Sequence, residues 1–313
     1  MNIERILLPT RPQPDTIVAI FLLREYGKER FPGVETARIE IKHSVEKEDT
    51  FDSLLAKGIL ALDVGGGLFD HHGKGKTATE LVADALGIRK NPELTQLIGY
   101  AVRDDTQGKG TISKDPLDRA FGLSGLVASL NKMLTDDPHT LVSYVLPLLK
   151  AHHFVACEHT VGLPNDIERK EKDGKYSESV VKQAGKDIKI SFVMSDKPSM
   201  PGYLRSQAGK LADVVVQRSE DSNHYAILTK QHKSVNLSKT MALIRLREAE
   251  LKGIELDYGQ IEAIRSLEQI PYWYYDPATN SLLNGGPHNR TVEESHIPWE
   301  EMQKIVTAGI KLG

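Results

Sequence analysis

Asp63, Asp70, His71 and His72 fall within ten positions of one another in the stretch ALDVGGGLFDHHGKGKTATELVADALG, which runs from Ala61 to Gly87. Carboxylates and imidazoles gathered in one place repel or lose hydration unless a cation or a hydrogen-bond network compensates them. Two further acidic pieces stand elsewhere: Asp15 shortly after an apolar run, and Asp104 with Asp105 at the end of LIGYAVRDDTQGKG. Carboxylates and an imidazole converging from four segments suit Mn²⁺ or Mg²⁺, which favour oxygen-rich octahedral sites, with Mn²⁺ also accepting nitrogen; zinc is less suited.

The elements that must position these groups read as alternating strands and helices. RILLPT at Arg5 to Thr10 predicts a buried strand, followed by a helix from about Asp15 to Tyr26 that Gly27 ends. ARIEI predicts a second strand, TFDSLLAKG a short helix, and ILALD a third strand that delivers Asp63 at its carboxyl end. An open parallel sheet places its ligand crevice outside those ends, so Asp15 and Asp63 can meet there with the FDHHG loop above them. Thr77 to Glu80 has capping-box spacing for a helix closed by Gly87, and further helices are predicted at Glu93 to Val102, Pro116 to Leu134 and Pro138 to Cys157.

A chain of 313 residues exceeds what one hydrophobic core usually serves. The charged segment NDIERKEKDGKYSESVVKQAGK marks the boundary, giving residues 1–160 as one domain, 161–186 as linker and 187–313 as a second. Beyond the boundary DIKISFVM, ADVVVQRS and HYAILTK read as strands and KTMALIRLREAELKG as a helix, an α+β pattern too short for a second doubly wound unit. The net charge of −3 argues against non-specific gripping of long duplexes. The single cysteine, Cys157, excludes intramolecular disulfides. No signal-peptide pattern opens the chain and no apolar run reads as long enough to cross a bilayer, so a cytoplasmic protein is expected.

DHHG, the following TATELV and the later YAVRDDT together resemble the DHH phosphoesterase superfamily in order and spacing. DVGGGLFDHHG and GLSGLVASLN are most similar to its melanocyte-proliferating-gene branch, and the resemblance covers roughly residues 1–160. It implies an α/β architecture: a Rossmann-like DHH domain with a parallel sheet, and a smaller α+β C-terminal domain across a cleft. It also implies phosphoester hydrolysis with one or two Mn²⁺ or Mg²⁺ ions. The expected substrate is a short RNA, DNA or nucleotide, with no membrane partner; a homodimer is left open. Carried over residue by residue, the resemblance makes Asp15, Asp63, His71 and Asp105 the metal ligands, with Asp63 bridging. Asp70 orients its neighbours and His72 faces the phosphate, so Asp63, Asp70, His71 and His72 form the catalytic set. Asp105 fits better than Asp104 because the superfamily's pattern is Asp-Thr and Asp105 precedes Thr106.

The first motif departs from this pattern. RecJ-like members of the superfamily carry His-x-Asn-Pro-Asp-x-Asp, whereas this chain reads Arg11-Pro12-Gln13-Pro14-Asp15-Thr16-Ile17, so a histidine and an aspartate are replaced. The branch's His-x-Asp-Glu form fits no better, since Gln13 and Thr16 stand where His and Glu belong. Arg11 is expected to act as a fixed cation beside the carboxylates or as a phosphate clamp. In NGGPHNR, His288, Asn289 and Arg290 are the candidate substrate contacts of the second domain, with a plain hairpin turn as the alternative. Arg205 and Lys210 are weaker candidates, and the aromatics Tyr272 to Tyr275 could stack bases or pack on their own hairpin. His153, Cys157 and His159 have metal-like spacing but read as the end of a domain-linking helix. Two other functions stay open: a catalytically degenerate nucleotide- or phosphate-binding protein, and a pyrophosphatase-like hydrolase of a small anion.

Overall fold

A computed structural model describes residues 2–41, 49–65, 67–108, 110–135, 137–230, 235–285 and 291–313. The chain is mixed α/β and divides into two compact units, Met1–Glu158 and His159–Gly313. In the first, β1 (Arg5–Leu8) lies between β2 (Arg38–Ile41) and β3 (Ile59–Ala61), all three parallel, with Arg5 opposite both Arg38 and Ile59. Parallel strands are covered on both faces by their crossover helices, and Ile6, Leu8 and Leu60 are accordingly fully buried. Helix α1 (Pro14–Tyr26) follows β1 with Pro14 pre-shaping its first turn, and every residue from Pro14 to Leu23 is buried. The predicted capping box forms at the start of α3 (Ala78–Leu86): Thr77 accepts from the Glu80 amide, Glu80 accepts from the Thr77 amide, and Gly87 closes the helix at φ +71°.

The helix expected over 116–134 is two helices, α5 (Pro116–Phe121) and α6 (Leu123–Met133), because Gly122 is extended at ψ 159°. The break turns the Ser124 amide and hydroxyl toward α4 (Thr95–Gln107), where they meet Tyr100. The segment expected as a linker is instead regular structure in the second unit. It forms α8 (Leu163–Lys172), whose Leu163 and Ile167 are buried, and β4 (Tyr176–Gln183), which pairs antiparallel with β5 (Lys186–Met194) along its whole length. Most of its charges face solvent, whereas Asp166 and Lys170 are buried beside Leu163 and Ile167 on α8, with Lys170 paired to Glu220.

Among the described residues one helical stretch, Pro138–Lys172, is long and apolar enough to cross a membrane by length and composition, where the sequence reading expected none. This stretch joins α7 (Pro138–Cys157), a π turn over Glu158–Gly162, and α8.

The second unit is a six-stranded mixed sheet in the order β4-β5-β6-β7-β9-β8, with β6 (Val214–Arg218), β7 (Tyr225–Thr229), β8 (Tyr274–Asp276) and β9 (Ser281–Asn284). Only β5 and β6 are parallel. The period-2 alternation sends Val214 and Val216 into a core with α10 (Ser238–Lys252) and α11 (Trp299–Leu312), and Val215 into a second core with α8 and α9 (Met200–Arg205). Tyr272 and Trp273 are buried and donate to the fully buried Glu248 carboxylate, so these aromatics pack within the unit.

Candidate metal centre

Asp63 stands two residues beyond β3 in the left-handed region, at φ +59°, a conformation that Asp and Asn tolerate better than most side chains. Its amide donates to the Phe69 carbonyl at 3.1 Å, while Leu62 bridges to Phe69. Phe69 is fully buried and meets Phe31 and Phe51 edge to face. An apolar anchor thus returns the glycine-rich loop to the strand end and delivers Asp70, His71 and His72 beside Asp63.

The four segments converge. His71 Nε2 lies 3.0 Å from Asp63 Oδ1, and its Nδ1 lies 3.6 Å from Asp105 Oδ2. Asp15, His71 and Asp105 each offer a ligand atom within 4.8 Å of the others, and so do Asp63, His71 and His72. Asp105 comes from the last turn of α4, and its neighbour Asp104 faces the other way, accepting from Ser124 Oγ. Successive helical residues sit about 100° apart, so the two carboxylates cannot share one target. Asp70 Oδ1 accepts from the His72 amide at 3.1 Å and lies 2.6 Å from His72 Nδ1, leaving Nε2 of this largely exposed ring toward solvent.

Asp15 is pinned from behind, because its two oxygens accept from the Ala78 and Thr79 amides at 2.8 and 3.0 Å and so cap α3. Thr16, standing where the branch's motif has Glu, is fully buried and donates from Oγ1 to Asp63 Oδ2 at 2.8 Å. Thr16, Ser124 and Tyr100 are site residues that the sequence reading missed. The signal for Thr16 was its place beside Asp15 in the first turn of a helix opened by proline.

Arg11, expected as a fixed cation beside the carboxylates or as a phosphate clamp, does not sit as the former. It is exposed in the loop before α1, and among the described residues its guanidinium pairs with no carboxylate. Ile17 is fully buried in the first unit's core. His288, Asn289 and Arg290 lie outside the described residues. His153 bonds the Tyr26 hydroxyl at 2.6 Å with Cys157 Sγ 3.4 Å away, whereas His159 packs against Tyr203 in the second unit, so these three do not form a metal set.

Burial raises the carboxyl pKa of Asp63, Asp104 and Asp105 above the ordinary value of 3.8. The hydrogen bond to Asp70 raises that of His72, favouring its cationic form. Among the described residues no lysine or arginine pairs with Asp15, Asp63 or Asp105. Asp63 Oδ1 is buried and accepts no hydrogen bond among the described residues, with His71 Nε2 3.0 Å away. A buried oxygen without a hydrogen bond, facing an imidazole and two further carboxylates, suits a cation, and the residues fit a divalent ion.

Without an ion this arrangement opposes folding. A carboxyl group whose folded pKa is raised contributes stability below pH 3.8 and loses it as the pH climbs through the raised value. Asp105→Asn is therefore expected to melt higher than the parent in EDTA at pH 7, with the gain vanishing below pH 3.8. With a divalent ion present the order reverses, because the variant lacks a ligand. Thermal melts with and without EDTA across this range provide the check, and a variant less stable than the parent in EDTA at pH 7 contradicts the argument.

No protein-family model matches this chain, and no curated protein matches it either.

Proposed function

We propose that the chain is a metal-dependent phosphoesterase of the DHH type, acting on a short nucleic acid or a nucleotide, with the first unit as a Rossmann-like catalytic domain. The observation that carries this reading is the buried, unbonded Asp63 Oδ1 beside His71, with Asp15 and Asp105 unpaired by any described lysine or arginine. When bound, Mn²⁺ or Mg²⁺ supplies Lewis acidity toward a phosphoryl oxygen and an attacking water.

The chain's own residues do the rest. The first turn of α3 and the Thr16 hydroxyl fix the directions of Asp15 and Asp63, so little side-chain reorganisation accompanies binding. Asp70 holds His72 through Nδ1 and favours its cation, leaving Nε2 to donate to a phosphate oxygen or to the departing alkoxide. Arg11, exposed before Asp15, meets substrate phosphate rather than the carboxylates. A single ion fits best, because Thr16 occupies the second oxygen of Asp63 and Ile17 replaces a carboxylate.

That same replacement favours a second reading, in which the protein binds a nucleotide or phosphate without turnover. The test is metal analysis of the purified chain together with hydrolysis of bis-p-nitrophenyl phosphate and a short oligonucleotide in Mn²⁺. Bound metal with Mn²⁺-dependent product release is the expected result. Bound metal with no product from either substrate favours the second reading, and a chain that takes up no divalent ion overturns the phosphoesterase.

A further inference from the structure

The second unit carries a groove of about 740 Å³ on the face of its sheet that α9 only partly covers. Helix α9 seals Val193 and Val215 and then ends at Arg205. Beyond it Leu228, directly opposite Val215 in the ladder, and Leu283 are left half-buried as the groove's floor. This volume lies in the range of small-molecule sites.

Its rim is charged in an unusual way. Arg205 is held rigidly, with Nε donating to Pro201 O at 3.0 Å and Nη1 to Thr229 O at 2.6 Å. Both partners are neutral carbonyls, and among the described residues the guanidinium meets no carboxylate partner. Burial lowers its pKa, the mark of a cation whose lost hydration has not been replaced by a counter-charge. Lys230 lines the groove as a second cation, also without an ion-pair partner among the described residues. Asp276 also lines the groove and accepts from the Ala278 amide and the Thr279 hydroxyl of its own turn. It remains an acceptor for a ligand hydroxyl.

We infer that this groove binds a nucleoside monophosphate, with the phosphate against Arg205 and Lys230, the base on Leu228 and Leu283, and a ribose hydroxyl toward Asp276. A planar guanidinium anchored on one side presents its remaining N–H groups to phosphate, and an apolar sheet face receives a base. The site lies wholly within the second unit and does not rest on the catalysis proposed for the first.

Calorimetric titration of the full chain in EDTA, with AMP, adenosine and inorganic phosphate as separate probes, tests it. AMP is expected to bind at least about tenfold more tightly than either fragment, because both halves of the site contribute. Gly202→Glu is the decisive variant. A Cβ at this exposed groove position meets nothing within 4 Å, so the substitution adds a carboxylate without disturbing packing. Gly202→Glu and Lys230→Glu are each expected to weaken AMP by about tenfold or more, with Gly202→Gln close to the parent. Absence of AMP binding, AMP no tighter than phosphate alone, or AMP binding that survives both introduced carboxylates each overturns the assignment.

Discussion

An Asp63→Asn chain is expected to fold normally and to lose at least about 10- to 100-fold of its Mn²⁺-dependent hydrolysis, the loss that even groups supporting metal ligands commonly cause. Asn is nearly isosteric, accepts the Thr16 hydroxyl as Asp does, and tolerates the +59° backbone that most residues resist. Only the charge disappears. Since burial already raises the pKa of this carboxyl, its removal relieves rather than harms the metal-free fold. Hydrolysis rates, bound Mn²⁺ and a thermal melt in EDTA measured on one preparation separate these effects. A folded Asp63→Asn protein with an unchanged rate places the chemistry elsewhere.

The second large effect concerns Ile17. Writing Asp there supplies the carboxylate that the superfamily's first motif carries, but the structure sets this position in the core. Ile17 is fully buried in the first unit's apolar core, where an aspartate would lose its hydration. Ile17→Asp should cost about 4 kcal/mol or more, at the severe end for a point substitution, and lower the urea midpoint accordingly. Ile17→Val, which keeps the position apolar, should cost only about 1 kcal/mol. A stable Ile17→Asp protein that takes up a second Mn²⁺ shows instead that residue 17 can face the site.

These two positions mark how far the sequence could be read. Asp63 and the FDHHG loop were legible because strand ends and glycine-rich returns leave strong local patterns, and the capping box at Thr77 is a rule of four residues. The choice between Asp104 and Asp105 depends on helical rotation, which the motif's Asp-Thr pairing encoded indirectly; Asp105 lies beside His71 while Asp104 meets Ser124. Thr16 was illegible because a buried threonine that completes a polar network looks, in one dimension, like a lost ligand. The choice between the two roles of Arg11 was illegible for a related reason: its charge type was known but its side-chain direction was not. The segment 161–186 was taken for linker because its charges outnumber its apolar residues, although Leu163, Ile167 and Tyr176 recur at the intervals that α8 and β4 need.

The backbone at Asp63 also restricts what mutation can do to this chain. A left-handed conformation with a short polar side chain admits few replacements, and Glu, which would preserve the charge, is poorly suited to it. Both tolerated alternatives, Asn and Gly, are one base change away from either aspartate codon. The position is therefore a narrow gate in genetic terms. Loss of the Asp63 carboxylate arrives in a single step and is expected to leave a folded protein, so under the proposed function a non-hydrolysing descendant would carry Asn or Gly there with the surrounding loop otherwise intact.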